Sequence, residues 1–145
     1  MDKRCQIFLA YARDDSAVAA AVAKGLASAG WQVSADFDID PGTPVVEALD
    51  RMIRASDLYI VLVSPALENS QSLGLFELGF ILAEQRERGA ITIPVVVRDF
   101  GVVPLPSYAR QSNAIDARGW QIRDIVDRLA TAIAQTDASA LLLQA

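Results

Sequence analysis

Glu77 is the only charged residue between Leu73 and Ala83, in the run Leu73-Gly74-Leu75-Phe76-Glu77-Leu78-Gly79-Phe80-Ile81. A carboxylate without partners in apolar surroundings is costly, so its presence there needs a reason. Two readings stand. Glu77 either lies in the first turn or so of a helix, near the positive end of the dipole, or projects into a crevice as a catalytic carboxylate with a displaced pKa. Arg13 either faces a ligand or pairs at the surface with Asp14 or Asp15. Ser64 either donates a hydrogen bond to a ligand or merely ends a strand ahead of Pro65.

The chain has no histidine. That removes the Ser-His-Asp triad, the Cys-His dyad, His-ligated zinc and imidazole bases. Chemistry must then run on carboxylates, hydroxyls, Lys, Arg or backbone. No G-x-G-x-x-G follows the first strand, and there is no P-loop or G-x-S-x-G elbow. Asp36, Asp38, Asp40 and Glu47 have the offsets of a calcium loop, but Pro41 occupies the place of its sharp-turn glycine. Solvated loop acids are the better account, and no metal is expected. Trp31, Phe37 and Trp120 read as packing residues, and Lys3 and Arg4 as solvated charges.

These residues sit in a chain of 145, with 52% hydrophobic and 21% charged residues, the proportions of one globular domain. A net charge of −5 argues against nucleic acid as partner. The single cysteine, Cys5, suits a reducing compartment. Apolar runs are of strand length, too short for a signal-peptide core or a membrane span. A soluble cytoplasmic domain without a membrane partner is expected.

Short apolar runs alternate with helical patterns, as in a parallel sheet covered by helices. Strands are expected over Gln6–Tyr11, Trp31–Ala35, Leu58–Val63, Ile91–Val97 and Ala114–Asp116. Helices are expected over Ser16–Ala29, Val45–Ala55, Leu73–Arg88 and Ile122–Ala134, with Asp15 or Ser16 capping the first and Gly30 ending it. The fold class is α/β: a flavodoxin-like, doubly wound parallel five-stranded sheet of order 2-1-3-4-5, with helices on both faces. The domain spans 1–135, and 136–145, without clear periodicity, reads as a frayed tail or the start of a linker. In such sheets ligands bind beyond the carboxyl ends of the strands, at the switch point between strands one and three. Tyr11–Asp15 and Ser64–Glu77 meet there, beside the loop Asp36–Thr43.

The pattern resembles the Toll/interleukin-1 receptor (TIR) domain family in its bacterial form, from about Gln6 to Leu129. Ile7-Phe8-Leu9-Ala10-Tyr11-Ala12-Arg13-Asp14-Asp15 resembles the first box, and Trp31-Gln32-Val33-Ser34-Ala35-Asp36 the second strand with its terminal aspartate. Asp40-Pro41-Gly42 resembles the Pro-Gly turn of the following loop, and Ser56-Asp57 through Ser64-Pro65 the third strand. Leu73-Gly74-Leu75-Phe76-Glu77 falls where the family has a Trp, three residues and the catalytic Glu. Leu73 and Ala10 depart from the usual Trp and Ser, and Pro44, Val45 or Val46 stands where an aromatic often follows the Pro-Gly turn.

The resemblance implies cleavage of NAD+ at the nicotinamide–ribose bond, giving nicotinamide and ADP-ribose or a cyclic isomer. NAD+ is then substrate, and no cofactor is implied. Glu77 would be the catalytic residue, with Tyr11, Arg13, Asp36, Pro41, Gly42, Ser64 and Leu73 around the substrate. Partners implied are other TIR domains, met through the loop Asp36–Thr43, and a fused sensor domain in antiviral defence or signalling. Two alternatives remain: a non-catalytic TIR–TIR adaptor, and a nucleoside deoxyribosyltransferase-like enzyme.

Overall fold

The computed structural model describes residues 5–69, 73–111 and 113–144, with side chains as far as residue 136. Lys3 and Arg4 lie outside the described residues. Five strands form one sheet: β1 (Gln6–Ala10), β2 (Gln32–Ser34), β3 (Leu58–Val63), β4 (Ile91–Val96) and β5 (Ile115–Asp116). All four pairings are parallel and the order is β2-β1-β3-β4-β5. The expected topology is the observed one, with strand ends differing by one residue.

β3 is buried along its whole length, as its unbroken apolar run requires of a central strand. Pro94 sits inside β4, where a missing N–H would ordinarily break a ladder. β5 pairs only with Val95 and Val96, so at Pro94 β4 is still a sheet edge on that side.

Among the described residues four α-helices cover the sheet: α1 (Ser16–Ser28), α2 (Val45–Arg54), α3 (Leu73–Arg88) and α4 (Ile122–Gln144). Alternate strand residues feed two cores. Ile7, Leu9, Ile60 and Leu62 pack with Val22 and Leu26 of α1 and Ile125, Leu129 and Ile133 of α4. Phe8, Ala10, Tyr59, Val61 and Val63 pack with Leu49 and Ile53 of α2 and Leu78 and Ile81 of α3. α4 continues ten residues past Ala134, so 136–144 is helix rather than a frayed tail. Strong helix formers (Ala, Leu, Gln) carry it on, although their spacing gives no amphipathic signal.

Gly30 ends α1 in the left-handed region at φ 97°, as expected. Trp31 packs against the first core, whereas Phe37 and Trp120 are close to half exposed and are only partly packing residues. The stretch after β4 is an anchored connection: a single helical turn spans Ser107–Arg110 and Ala109 enters the second core.

Candidate functional site

The carboxyl ends of β1, β2 and β3 and the start of α3 converge on a cleft of about 820 Å³. Tyr11, Ala12, Arg13, Asp14 and Ser16 line it after β1, Asp36 after β2, Pro65, Ala66 and Asn69 after β3, and Leu73 at the start of α3. This is the switch point at which open α/β sheets receive ligands.

α3 reaches the cleft because Gly74 has no side chain. A Cβ there would stand 2.4 Å from the carbonyl oxygen of Tyr11 and 2.6 Å from Leu67 Cδ1. The first turn of α3 therefore lies directly against the end of β1. Three residues on, Glu77 turns inward with Gly74, Leu78 and Ile81, while Leu73 and Phe76 face outward, 40% and 46% exposed. The helix thus buries its one early charge and exposes an aromatic, the reverse of an ordinary amphipathic helix.

Glu77 has no solvent exposure, and neither carboxyl oxygen has a hydrogen-bond partner among the described residues. Desolvation, with the nearby Asp36 carboxylate adding to it, pushes its pKa up to about 9. At neutral pH the resting side chain is a neutral acid. Beside it the Tyr11 hydroxyl donates to Asp36 Oδ1 at 2.5 Å. Burial and that carboxylate raise the pKa of Tyr11. The Phe37 ring lies 6.0 Å from that of Tyr11, tilted by 38°.

The structure brings Tyr11, Arg13, Asp36 and Leu73 together around the cleft, with Glu77 buried beside them. It does not bring Ser64 there. Ser64 is fully buried and donates to Asp15 Oδ2 at 2.5 Å, while Arg98 donates to Asp15 Oδ1 at 2.5 Å. Asp15 is the residue ahead of α1 but does not cap it through its side chain. Its buried carboxylate instead ties the ends of β3 and β4 to the start of α1. Arg98, 83 residues away, rather than the neighbouring Arg13, is the ion-pair partner of Asp15. No local signal in the sequence could have found it.

Pro41 and Gly42 are exposed at the far end of the loop after β2 and do not line the cleft. That loop is more ordered than its composition suggests. It opens with a helical turn over Asp36–Asp38, in which Asp38 accepts from the Ala35 N–H at 2.9 Å. Thr43 N–H closes the tip on Asp40 O, and Ile39 packs inward against the second core rather than outward toward a neighbour. Gly42, at φ 86°, supplies the left-handed residue that the tip requires.

Among the described residues no helix is long and apolar enough to cross a membrane. A family model described as TIR domain matches residues 7–132. The TIR domain of the Toll-related receptor TRR-2 from Hydra magnipapillata superposes with a TM-score of 0.69 at 21% identity, over 88% of this chain and 97% of that one. The TIR domains of the activated Roq1 resistosome give 0.61 at 20% identity, over 95% and 77%. The CMP N-glycosidase BcmB of Clostridium botulinum gives 0.55 at 18% identity, over 88% and 98%. No curated protein sequence matches the chain. With the family model spanning strand one to the last helix, and the sheet order and cleft in agreement, the chain belongs to the TIR domain family.

Proposed function

We propose that this TIR domain is an NAD+ glycohydrolase of the bacterial type, cleaving the nicotinamide–ribose bond. The observation that carries the reading is Glu77, a fully buried carboxyl without hydrogen-bond partners among the described residues, beside a cleft of about 820 Å³. A group so costly to bury needs a use. In the reaction the glycosidic electron pair leaves with nicotinamide, whose ring is thereby neutralised. The ribosyl cation left behind is stabilised electrostatically by ionised Glu77. Water, or a nucleophile of the same ADP-ribose, adds to that cation and loses a proton. No general acid is needed for this leaving group, so a chain without histidine can do it.

Asp36 and Tyr11 would meet the nicotinamide–ribose end, and Arg13, exposed at the rim, the pyrophosphate. NAD+ serves as substrate, with no cofactor or metal required. The protein would act in the cytoplasm, coupled to a fused sensor and activated by TIR–TIR association.

Two other readings each have one observation in favour. Leu73 lines the cleft where an aromatic would grip nicotinamide, which favours a non-catalytic adaptor. A CMP N-glycosidase shares the fold, which favours a nucleoside or nucleotide substrate for the same carboxyl, as in a deoxyribosyltransferase-like enzyme. Incubation of the protein and of Glu77→Gln with NAD+, CMP and deoxynucleosides separates the three. Nicotinamide released by the parent, with a loss of about a hundredfold or more in the variant, is the expected result. Turnover of CMP or deoxynucleosides alone, or of nothing, would replace the proposal.

A further inference from the structure

Glu77 is a neighbour of the cleft without being part of its surface. It has no exposure, whereas Tyr11, Asp36 and Leu73 line the cavity. The elements around it bring two titratable groups to bear: Tyr11 from the end of β1 and Asp36 from the turn after β2. Asp38, from the same turn, acts on Tyr11. The Tyr11 hydroxyl links the segments that follow β1 and β2 by donating to Asp36. Among the described residues, a carboxyl with two unpartnered oxygens thus lies beside a second carboxylate that accepts from the Tyr11 phenol.

We propose that the Tyr11–Asp36 hydrogen bond is a latch that seals Glu77 from the cleft, and that the ligand group which opens it is a cation recognised by Asp36. The inference rests on the reading of Glu77 as the reacting carboxyl, and it adds how that carboxyl is kept idle and what uncovers it.

A phenol is a replaceable partner for a carboxylate, because an entering positive ring offers the same oxygens a stronger electrostatic interaction. When Tyr11 swings off, the cation also lies near Glu77 and favours its charged form. The O–H bond of Glu77 then breaks and the proton passes to bulk water through the opened cleft. Two carboxylates now face one positive group. A neutral ring of the same shape gains neither interaction and leaves the latch closed. The site thereby distinguishes a cationic pyridinium from its uncharged product and favours release of the latter.

Difference infrared spectroscopy reads the protonated carboxyl directly, with Glu77→Gln assigning the band. In the parent the band should disappear with a midpoint near pH 9, about where burial sets the Glu77 pKa. Tyr11→Phe keeps the ring and removes the latch, so water reaches Glu77 and the midpoint should fall by about one pH unit or more, a tenfold change in proton affinity. At neutral pH, ring-N-methylated nicotinamide, a permanent cation, should discharge the band in the parent, while nicotinamide leaves it intact. Asp36→Asn keeps an acceptor for Tyr11 but loses the charge, so the cation should no longer discharge the band at the same concentration.

An unchanged midpoint in Tyr11→Phe overturns the latch. Equal responses to the cation and to nicotinamide overturn the charge selection, as does an undiminished response in Asp36→Asn. These readings need no turnover. A protein that shows them all yet releases no nicotinamide from NAD+ overturns the glycohydrolase reading and leaves the latch standing.

Discussion

The side chain that Gly74 lacks would collide with the carbonyl oxygen of Tyr11 at 2.4 Å. That clearance lets α3 lie against the end of β1 and brings Glu77 beside the cleft on the face of the sheet that α3 shares with α2. Gly74→Ala should therefore push α3 away from β1. Backbone on one side and Leu67 on the other leave no easy relief, so a stability loss of about 1–3 kcal/mol is expected by denaturant titration. Nicotinamide release should fall further than the folded fraction does. A variant as stable and as active as the parent would show that the helix start has room to move.

Glu77 should make stability depend on pH in a defined direction. Its pKa is raised from 4.5 to about 9 on folding, so the folded state holds the proton more tightly than the unfolded state. The contribution is fully present below about pH 4.5 and is lost as pH rises toward 9. Glu77→Gln has no such proton to lose. Its melting temperature should pull ahead of the parent's across that window, reaching a lead on the order of 10 °C or more by its alkaline end. Parallel melting curves at every pH would mean that Glu77 is solvated and ordinary.

Ser64 illustrates how a plausible ligand contact becomes a support. Ser64→Ala leaves one oxygen of the buried Asp15 without its donor. The expected cost is about 1–3 kcal/mol of stability by chemical unfolding. KM for NAD+ should stay within a few-fold of the parent, because Ser64 does not line the cleft. A large rise in KM with no stability loss would return Ser64 to the substrate site.

Association through the loop Asp36–Thr43 predicts that specific activity rises with protein concentration. Ile39 is packed inward, so its substitution would damage the fold rather than an interface. Val46, 51% exposed where α2 leaves that loop, is the better probe. Val46→Asp should flatten the concentration dependence without altering the melting temperature by more than a degree or so. A parent activity already constant across a wide dilution series would instead describe a self-sufficient monomer.

The order of the strands, the covered faces and the location of the cleft were legible in the sequence. They follow from the alternation of apolar strands with longer helical periods and from the geometry of parallel sheets, which are properties of local pattern. Glu77 also announced itself locally, as one acid in an apolar helix start. What it does there depends on which face of α3 is turned inward, and from Leu73 to Ala83 α3 is apolar nearly all round apart from Glu77 itself. The close fit of Gly74 on Tyr11 chose that face, and no periodicity records it. The fate of Asp15, Ser64 and Arg98 was equally hidden, because their bonds span 49 and 83 residues and form only when three strand ends are aligned. The helical continuation to Gln144 escaped because propensity without amphipathic spacing leaves no pattern to read. Local chemistry determined which residues could act, and the tertiary fold decided which of them were sealed, which were tied into supports, and which faced the cleft. A side chain's solvation and partners are set by residues far away in sequence, and they decide whether a carboxyl is an acid, an ion pair or a buried reserve.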